Sequence, residues 1–400
     1  MVSPAIERVA LAAHDAGGAR ALFPVAEELR RRGVEVLALV AGPAVKIRRE
    51  EAAFLPAFEA EDEERVDVLA GKLAESRVDL LISASGLYNQ FEHRARLAAR
   101  QTGLPVIAVL DSWLNYAERF EREVGGVVVA SRPDVICAID EWTREGAVAA
   151  GFDPGAVVVT GHPDLEKTAR ECRAGSEDER RQLRREAGVS EDGMLVVFFS
   201  DPFYVGPNLE FYSGPGALMH PDGRPIFGYT VREILPAVLQ ELDVAMMAEN
   251  TSCDFVVRPH PWEHEAALRT TIEETRLERV RVRLEKGSTV TRWIRCADVL
   301  MGMMTIALLH AALGGKPSIS VEIGLKESGQ EDPCVSNILG YTRGVFDREA
   351  LRTVCRQIAR REYLALKTEP KYLLPLEGAA VRVADVVLGS AAAHRPVSVC

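Results

Sequence analysis

The side chains able to do acid–base or phosphate chemistry in this chain sit where an apolar run breaks into a loop. His14-Asp15 ends one such run and is followed by Ala16-Gly17-Gly18. An imidazole or a carboxylate there can take a proton from a hydroxyl within hydrogen-bond reach. Gly17 and Gly18 either bring the backbone close to a ligand or make a tight turn. Asp15 is equally suited to capping the helix that follows. Ser85 and Asp111 end two further runs, and Asp111 is a second candidate base that, with Trp113 and Asn115, would line a substrate site. His162 lies in the turn Gly161-His162-Pro163-Asp164. Further on, Arg258-Pro259-His260-Pro261 offers charge to a departing phosphate, unless the prolines only set a rigid loop around a satisfied, buried ring. The Thr305 hydroxyl and the N–H groups beside it, at a helix start, offer an anion site. Lys316, in the turn at that helix's far end, reads as structural. His260 and His264 stand four apart, but Pro261 breaks any helix that would align them, so no metal is expected there. No G-x-S-x-G elbow and no Walker loop occurs, which disfavours a hydrolase triad or an NTPase.

Alternating strands and helices must position these groups. Val299 to Met301 reads as a strand, Gly302 as a turn, and a helix opens near Thr305. Gly314-Gly315-Lys316-Pro317 closes it before a second strand, Ser318 to Val321. A strand, helix and strand within about thirty residues make a parallel βαβ unit. Upstream, Ile6 to Ala13, Val34 to Val40, Asp79 to Ser83, Pro105 to Leu110, Val135 to Ile139 and Ala156 to Thr160 also read as strands. Helical spacing covers Ala19 to Arg32, Glu92 to Thr102 and Glu141 to Ala150. The second half repeats the alternation, with strands at Met194 to Ser200, Cys253 to Val257 and Val280 to Leu284, and with Ser288-Thr289 capping a short helix, Val290 to Cys296. Parallel strands end on one side of their sheet, so the polar residues at those ends gather along one edge. Residues 167–190 are charged and arginine-rich and read as a linker plus an exposed helix with a solvated face. From Asp201 to Gly228 periodicity is absent and aromatics are dense (Phe203, Tyr204, Phe211, Tyr212, Phe227), which predicts either a covering lid or an insertion packed on its own domain.

Four hundred residues exceed what one core fills, so two domains are expected. With 47% hydrophobic and 27% charged residues the composition is that of a folded soluble chain rather than a disordered one. A net charge of −11 leaves no surplus for general nucleic-acid binding, although a local basic cleft for one phosphorylated small molecule is compatible with it. The 7 cysteines form no CxxC pair, which predicts reduced, buried thiols and neither zinc nor a disulfide framework. With no signal peptide and no long apolar segment, a cytoplasmic location is expected.

Three pieces, in this order and spacing, resemble the GT-B architecture of nucleotide-sugar glycosyltransferases: His14-Asp15-Ala16-Gly17-Gly18, Val159-Thr160-Gly161-His162-Pro163, and Arg258-Pro259-His260-Pro261 followed by Asp298 to Pro317. The second is similar to a TGxP turn in UDP-N-acetylglucosamine 2-epimerases, and the third to a series shared by those epimerases and CDP-glycerol glycerophosphotransferases. With the alternation, the resemblance implies an α/β chain of two Rossmann-like, doubly wound parallel-sheet domains facing across a cleft. Residues 1–166 would be the acceptor-side domain, 167–190 the linker and exposed helix, 191–345 the donor-binding domain, and 346–400 helices bracing the domains. It implies too that the first loop approaches the acceptor or the transferred sugar, and that the last series holds the donor's diphosphate and ribose. The positions matching the family's helix-start hydroxyl pair and its ribose-holding glutamate are occupied by Met304, Thr305 and His310. His310 can exchange a hydrogen bond with a hydroxyl but cannot accept bidentately. The epimerases' acidic pair is not reproduced at the strand ends, which carry Ser85-Gly86 and Asp111-Ser112. Glu322, ending a later strand, is placed to reach a sugar hydroxyl. The implied activity is transfer of a sugar or polyol phosphate from a nucleotide-activated donor to a small-molecule or glycan acceptor, independent of metal and of any cofactor, as in polysaccharide or glycoconjugate synthesis. A hydrolysing nucleotide-sugar 2-epimerase is the alternative enzyme, and a non-catalytic GT-B-like binding protein the alternative of another class. Homodimer formation and peripheral membrane contact stay open.

Overall fold

The computed structural model describes residues 6–87, 89–124, 126–173, 175–200, 225–260, 263 and 265–390. The chain divides into two compact units, residues 1–167 with 372–400, and residues 168–371.

The first unit contains β1 (Arg8–Ala13), α1 (Ala16–Arg31), β2 (Glu35–Val40), α2 (Pro43–Glu51), β3 (Ala57–Glu59), α3 (Val66–Glu75), β4 (Leu80–Ser83), α4 (Phe91–Gln101) and β5 (Val106–Val109). It continues with β6 (Glu121–Val124), β7 (Val127–Ala130), β8 (Val135–Ala138), α5 (Glu141–Ala149) and β9 (Val157–Val159). Seven strands form a parallel sheet in the order β3-β2-β1-β4-β5-β8-β9, while β6 and β7 pair separately as an antiparallel hairpin. The strands are short apolar runs covered on both faces, as a parallel sheet flanked by helices requires, and every residue of β4 and β5 is buried. Leu22, Val25, Ala26 and Leu29 of α1 join the core beneath it, the stripe its spacing predicts, and Val383, Ala384 and Val387 of the last helix among the described residues join the same core. Residues 43–75 carry elements that the apolar pattern does not announce. Their helix α2 buries only Ala44 and Ile47, and β3 is 3 residues long. The β6–β7 hairpin escapes for a similar reason, since Val127 and Val128 stand in solvent.

Helix α6 (Pro163–Cys172) carries the chain into the second unit. There follow α7 (Glu177–Ala187), β10 (Met194–Phe199), α8 (Val231–Ala248), β11 (Cys253–Arg258), α9 (Glu265–Glu274), β12 (Val280–Leu284), α10 (Val290–Cys296) and β13 (Val299–Gly302). Then come α11 (Ile306–Leu313), β14 (Ser318–Val321), α12 (Leu325–Ser328), α13 (Val335–Ile338), β15 (Arg343–Val345) and α14 (Arg348–Ala359), before α15 (Ala379–Ser390) closes the first unit. Six strands pair in parallel in the order β12-β11-β10-β13-β14-β15. Register puts Arg258, Phe199, Gly302 and Ser320 in one row across four neighbouring strands, about 4.8 Å from one to the next. Local signals set the helix starts: Thr230 opens α8 with a capping box, and Thr289 caps α10 through the Arg292 N–H.

One expectation changes. Helix α7 is not merely a solvated, charged segment, because Arg184 is wholly buried and Arg180 and Arg184 pair with Asp298 at 2.6 and 2.9 Å. The expected aromatic lid falls on residues 201–224, outside the described residues, except that Phe227 packs on the second unit's core. Among the described residues, no helix is long and apolar enough to cross a membrane.

Candidate functional site

In the first unit, β1 stops at Ala13, so His14 and Asp15 leave the sheet at its C-terminal edge. Asp15 occupies the N-cap position of α1, but its side chain makes no capping bond. Instead Asp15 Oδ1 lies 2.8 Å from His14 Nδ1, and the other ring nitrogen, Nε2, lies 3.2 Å from Asp62 Oδ1. A neutral imidazole has one N–H, so a ring between two carboxylates satisfies both only as the doubly protonated cation. Burial opposes that charge, yet the Asp15 hydrogen bond and the charges of Asp15, Glu92 and Asp62 outweigh it and hold the His14 pKa above its ordinary 6.5. Asp15 is thereby held by His14 and is not spent on the helix end.

A third carboxyl group comes from far along the chain. Register between β1 and β4 pairs Ala12 with Ser83, which brings Ser85, Gly86 and the first turn of α4 alongside His14. Glu92 is wholly buried there. Its Oε1 accepts the His14 N–H at 2.8 Å, while its Oε2 has no partner among the described residues. Nothing local marks Glu92 beyond an acidic residue in a helix's first turn, a position the helix dipole alone explains. One strand over, Asp111 Oδ1 accepts from Ser85 Oγ at 2.8 Å and from Arg119 Nη1 at 3.3 Å. Its Oδ2 lies 3.7 and 3.6 Å from where side chains on Gly17 and Gly18 would begin. A Cβ on Gly18 would also come within 2.6 Å of Ala84 Cβ, so α1 lies this close to β4 only because residue 18 is glycine.

Trp113 turns inward. It is buried, its indole N–H donates to Asp140 at 2.8 Å, and its ring stacks on His162 at 6.5 Å between centroids. His162 is likewise buried, its Nδ1 has no partner among the described residues, and burial holds its pKa below 6.5 against the pull of Asp164 and Asp111. Asn115 is exposed, and its φ of 60° makes it a left-handed turn residue.

In the second unit, Arg258 ends β11 half-buried, with Nη1 3.5 Å from Ser288 Oγ and Nε lacking a partner among the described residues. Burial depresses its pKa, although Glu285 counteracts this. A buried guanidinium N–H without an acceptor is a donor available to an incoming anion. The His260 N–H donates to Glu263 Oε2 at 3.2 Å and Ser200 Oγ donates to Glu263 Oε1 at 2.8 Å, tying the ends of β10 and β11 together. Burial lowers the His260 pKa. Thr305 caps α11, its Oγ1 accepting from the Ala307 N–H at 3.4 Å, and the Leu308 N–H reaches the Thr305 carbonyl at 3.1 Å. The Ile306 N–H stays unclaimed among the described residues. A Cβ on Gly302 would stand 2.8 Å from the Phe199 carbonyl oxygen, so this strand end closes tightly around glycine. Met304 packs against the core, and His310 lies in the last turn of α11 rather than at its mouth, about 7.5 Å along the axis from Thr305 at 1.5 Å per residue. Lys316 Nζ donates to the carbonyls of Arg295 and Ala297 at 3.1 and 2.7 Å, closing the end of α10.

Glu322 is wholly buried and points into the second unit. Its Oε2 accepts from the Tyr229 hydroxyl at 3.1 Å and its Oε1 from Asn337 Nδ2 at 2.9 Å, while the same amide reaches Asp332 at 3.1 Å. Burial and the Asp332 charge push its pKa up to about 8. The native state therefore binds this proton more tightly than the unfolded chain. The stabilisation is complete below the ordinary glutamate value and is lost as pH rises through the raised one. Glu322→Gln should flatten the decline of Tm between about pH 5 and 8. Parallel Tm–pH curves for variant and wild type would show that the native carboxyl is not held neutral.

Two doubly wound parallel sheets, each with its candidate polar groups at the C-terminal strand ends, define an α/β fold of the GT-B type. No protein-family model and no curated protein sequence matches the chain. Among solved structures, it is similar to the UDP-GlcNAc 2-epimerase of Neisseria meningitidis bound to UDP-GlcNAc, at 11% identity and a TM-score of 0.65 over 96% of this chain and 100% of that one. The UDP-GlcNAc 2-epimerase of Methanocaldococcus jannaschii aligns at 12% identity and 0.64 over 95% and 99%. Anabaena HepE in complex with UDP and glucose aligns at 14% identity and 0.54 over 95% and 99%. At such identities the likeness establishes the fold.

Proposed function

We propose that this chain is a nucleotide-sugar-dependent enzyme of glycosyltransferase type, independent of metal, with the donor held by the second unit and the acceptor by the first. The observation that carries this reading is the Asp15 carboxylate, released from capping and paired with a cationic His14 at a strand end. The acceptor O–H gives its proton to Asp15 as its oxygen bonds to the anomeric carbon. The bond from that carbon to the diphosphate breaks, and its electron pair leaves with the nucleotide. Arg258 and the amides beside Thr305 are the groups available to take up that charge. Binding of UDP in one fold neighbour and of UDP-GlcNAc in another supports a uridine donor as the first to try.

A hydrolysing 2-epimerase is the second reading, favoured by the higher TM-scores of the epimerases, 0.65 and 0.64 against 0.54. Incubation with UDP-GlcNAc in EDTA separates the two. UDP release that requires an added sugar acceptor supports transfer, whereas release without one, accompanied by a C2-inverted sugar, supports the epimerase. No binding of any nucleoside diphosphate or its sugar leaves a non-catalytic protein of the same fold. Arg258→Ala should weaken UDP binding by about ten- to a hundredfold, the worth of a charge-assisted contact. Unchanged affinity in calorimetry would remove Arg258 from the donor site.

A further inference from the structure

The β6–β7 hairpin of the first unit is a two-stranded sheet of its own, apart from the seven-stranded one. Its first strand is anchored: Arg122 Nη2 donates to the Gly86 carbonyl at 3.2 Å, and Arg132 Nε to Glu121 Oε1 at 2.8 Å. Its second strand, Val127-Val128-Val129-Ala130, projects. Val127 and Val128 are 64% and 62% exposed, and Ala130 is exposed too. Successive side chains of a strand point to opposite faces, so both faces of β7 stand in water. Its outer edge is open as well. The Ser131 N–H donates to the Phe120 carbonyl at 2.7 Å, and in an antiparallel pair such bonds recur at every second residue. Val129 and Val127 therefore turn their backbone groups towards β6. Val128 and Ala130 turn theirs away, where no backbone partner meets them among the described residues.

We propose that β7 is a homodimer contact, on which the β7 of a second copy pairs antiparallel to make one four-stranded sheet. An open edge is completed by another strand, and a hairpin left alone is only marginally stable in water. Exposed edges are commonly blunted by a charge or a proline, and residues 126–130 carry neither. Self-complementarity marks the occupant as a second copy. A twofold axis sets the strand against itself, with Val128 opposite Val128, Val127 opposite Val129 and Ala130 opposite Gly126. Branched apolar side chains then meet across the axis and no charges do. Ser131 fixes this register, because it is wholly buried. An axis one residue later, at Val129, would require the copy's Val127 to lie opposite Ser131, where an incoming strand has no access. A net charge of −11 makes two copies repel, and one strand pair buries less than the roughly 1,200 Å² of a standard interface. The dimer is therefore expected to form in the micromolar range rather than to be permanent.

Sedimentation velocity of the full chain between about 1 and about 300 μM tests the pairing. The wild type should pass from monomer to dimer across that range. Val128→Lys sets like charges directly opposite each other, and Val128→Pro removes an N–H that β6 does not use, so each should weaken dimerisation about tenfold or more. Val128→Thr, still β-branched, should stay within about threefold. Circular dichroism of the dilute monomers should be unchanged in every variant, since Val128 is exposed. Oxidation checks the register in chains whose Cys400 is replaced by serine, the 6 other cysteines being buried. Val128→Cys should form a disulfide-linked dimer, because the opposed Cα atoms of a hydrogen-bonded pair stand about 5.5 Å apart. Ala130→Cys should not, because an offset of four residues parts its two copies by about 14 Å. A wild type that stays monomeric throughout overturns the proposal, including the case in which β7 pairs with a strand of another protein. So does a dimer that survives both Val128→Lys and Val128→Pro, or an Ala130→Cys chain that crosslinks as readily as Val128→Cys.

Discussion

Asparagine in place of Asp15 is expected to lower kcat for sugar transfer by about 10²- to 10⁴-fold, the range supplied by a positioned general base. The loss should fall on kcat, with UDP affinity unchanged, because the substitution removes a proton acceptor and leaves Arg258 untouched. Folding should survive. Asparagine is a good N-cap residue, and the Asp15 carboxylate makes no capping bond to be lost. A second signature follows from His14, whose strongest support for its charged form is the Asp15 hydrogen bond. Without that carboxylate the His14 pKa should fall, which an NMR titration of its ring protons reads directly. In the wild type the His14–Asp15 pair adds stability below the ordinary histidine value that is lost as pH rises through the raised one, and the variant should lack that decline. A kcat within about threefold of wild type would falsify the base assignment, placing the variant below the usual range for such a group. Asp111→Asn should cost less, since Asp111 Oδ1 already serves Ser85 and Arg119.

The parts of this fold legible in the sequence are those where a short-range pattern determines structure. The runs that became β1, β4, β10 and β13 are almost wholly buried and apolar but for Arg8 and Ser83 at strand ends, a signature parallel strands carry by themselves. Thr289 and Thr305 likewise announced α10 and α11, because a cap acts over two or three residues. What stayed hidden depends on contacts between distant segments. Glu92 lies 78 residues from the His14 N–H that it accepts, and only the β1–β4 register brings them together. Asp62 reaches His14 from an irregular segment with no apolar period. The expectation that Trp113 would line a substrate site arose from its place after Asp111, and Asp140, 27 residues on, binds its indole N–H. Glu322 shows the same limit: its position at a strand end was readable, but the burial that turns its carboxyl towards Tyr229 and Asn337 was not.

Removing the Asp298 carboxylate is expected to destabilise the second unit by about 3–5 kcal/mol, the cost of stranding a buried charge. Asp298 begins the stretch that leads through β13 to α11, and its carboxylate accepts from Arg180 at 2.6 Å, Arg184 at 2.9 Å and the Leu195 N–H at 2.8 Å. Arg180 is partly exposed and can turn to water, so its share of the loss is small. Arg184 has no such route. It is wholly buried, and in Asp298→Ala its guanidinium would keep only the carbonyls of Cys296, Glu191 and Gly193. Denaturant unfolding measures the loss, and the double variant Asp298→Ala with Arg184→Met identifies its cause. If the penalty comes from the unpaired guanidinium, removing that charge as well should recover at least about half of it, since buried ion pairs are often replaceable by apolar groups at little cost. A double variant as unstable as the single one would mean that the carboxylate matters chiefly as the acceptor for Leu195, at the start of β10. That outcome would move the source of stability from the α7 contact to the sheet. Either way, UDP affinity of the folded fraction should hold, because Asp298 precedes β13 whereas Arg258 and Gly302 end their strands.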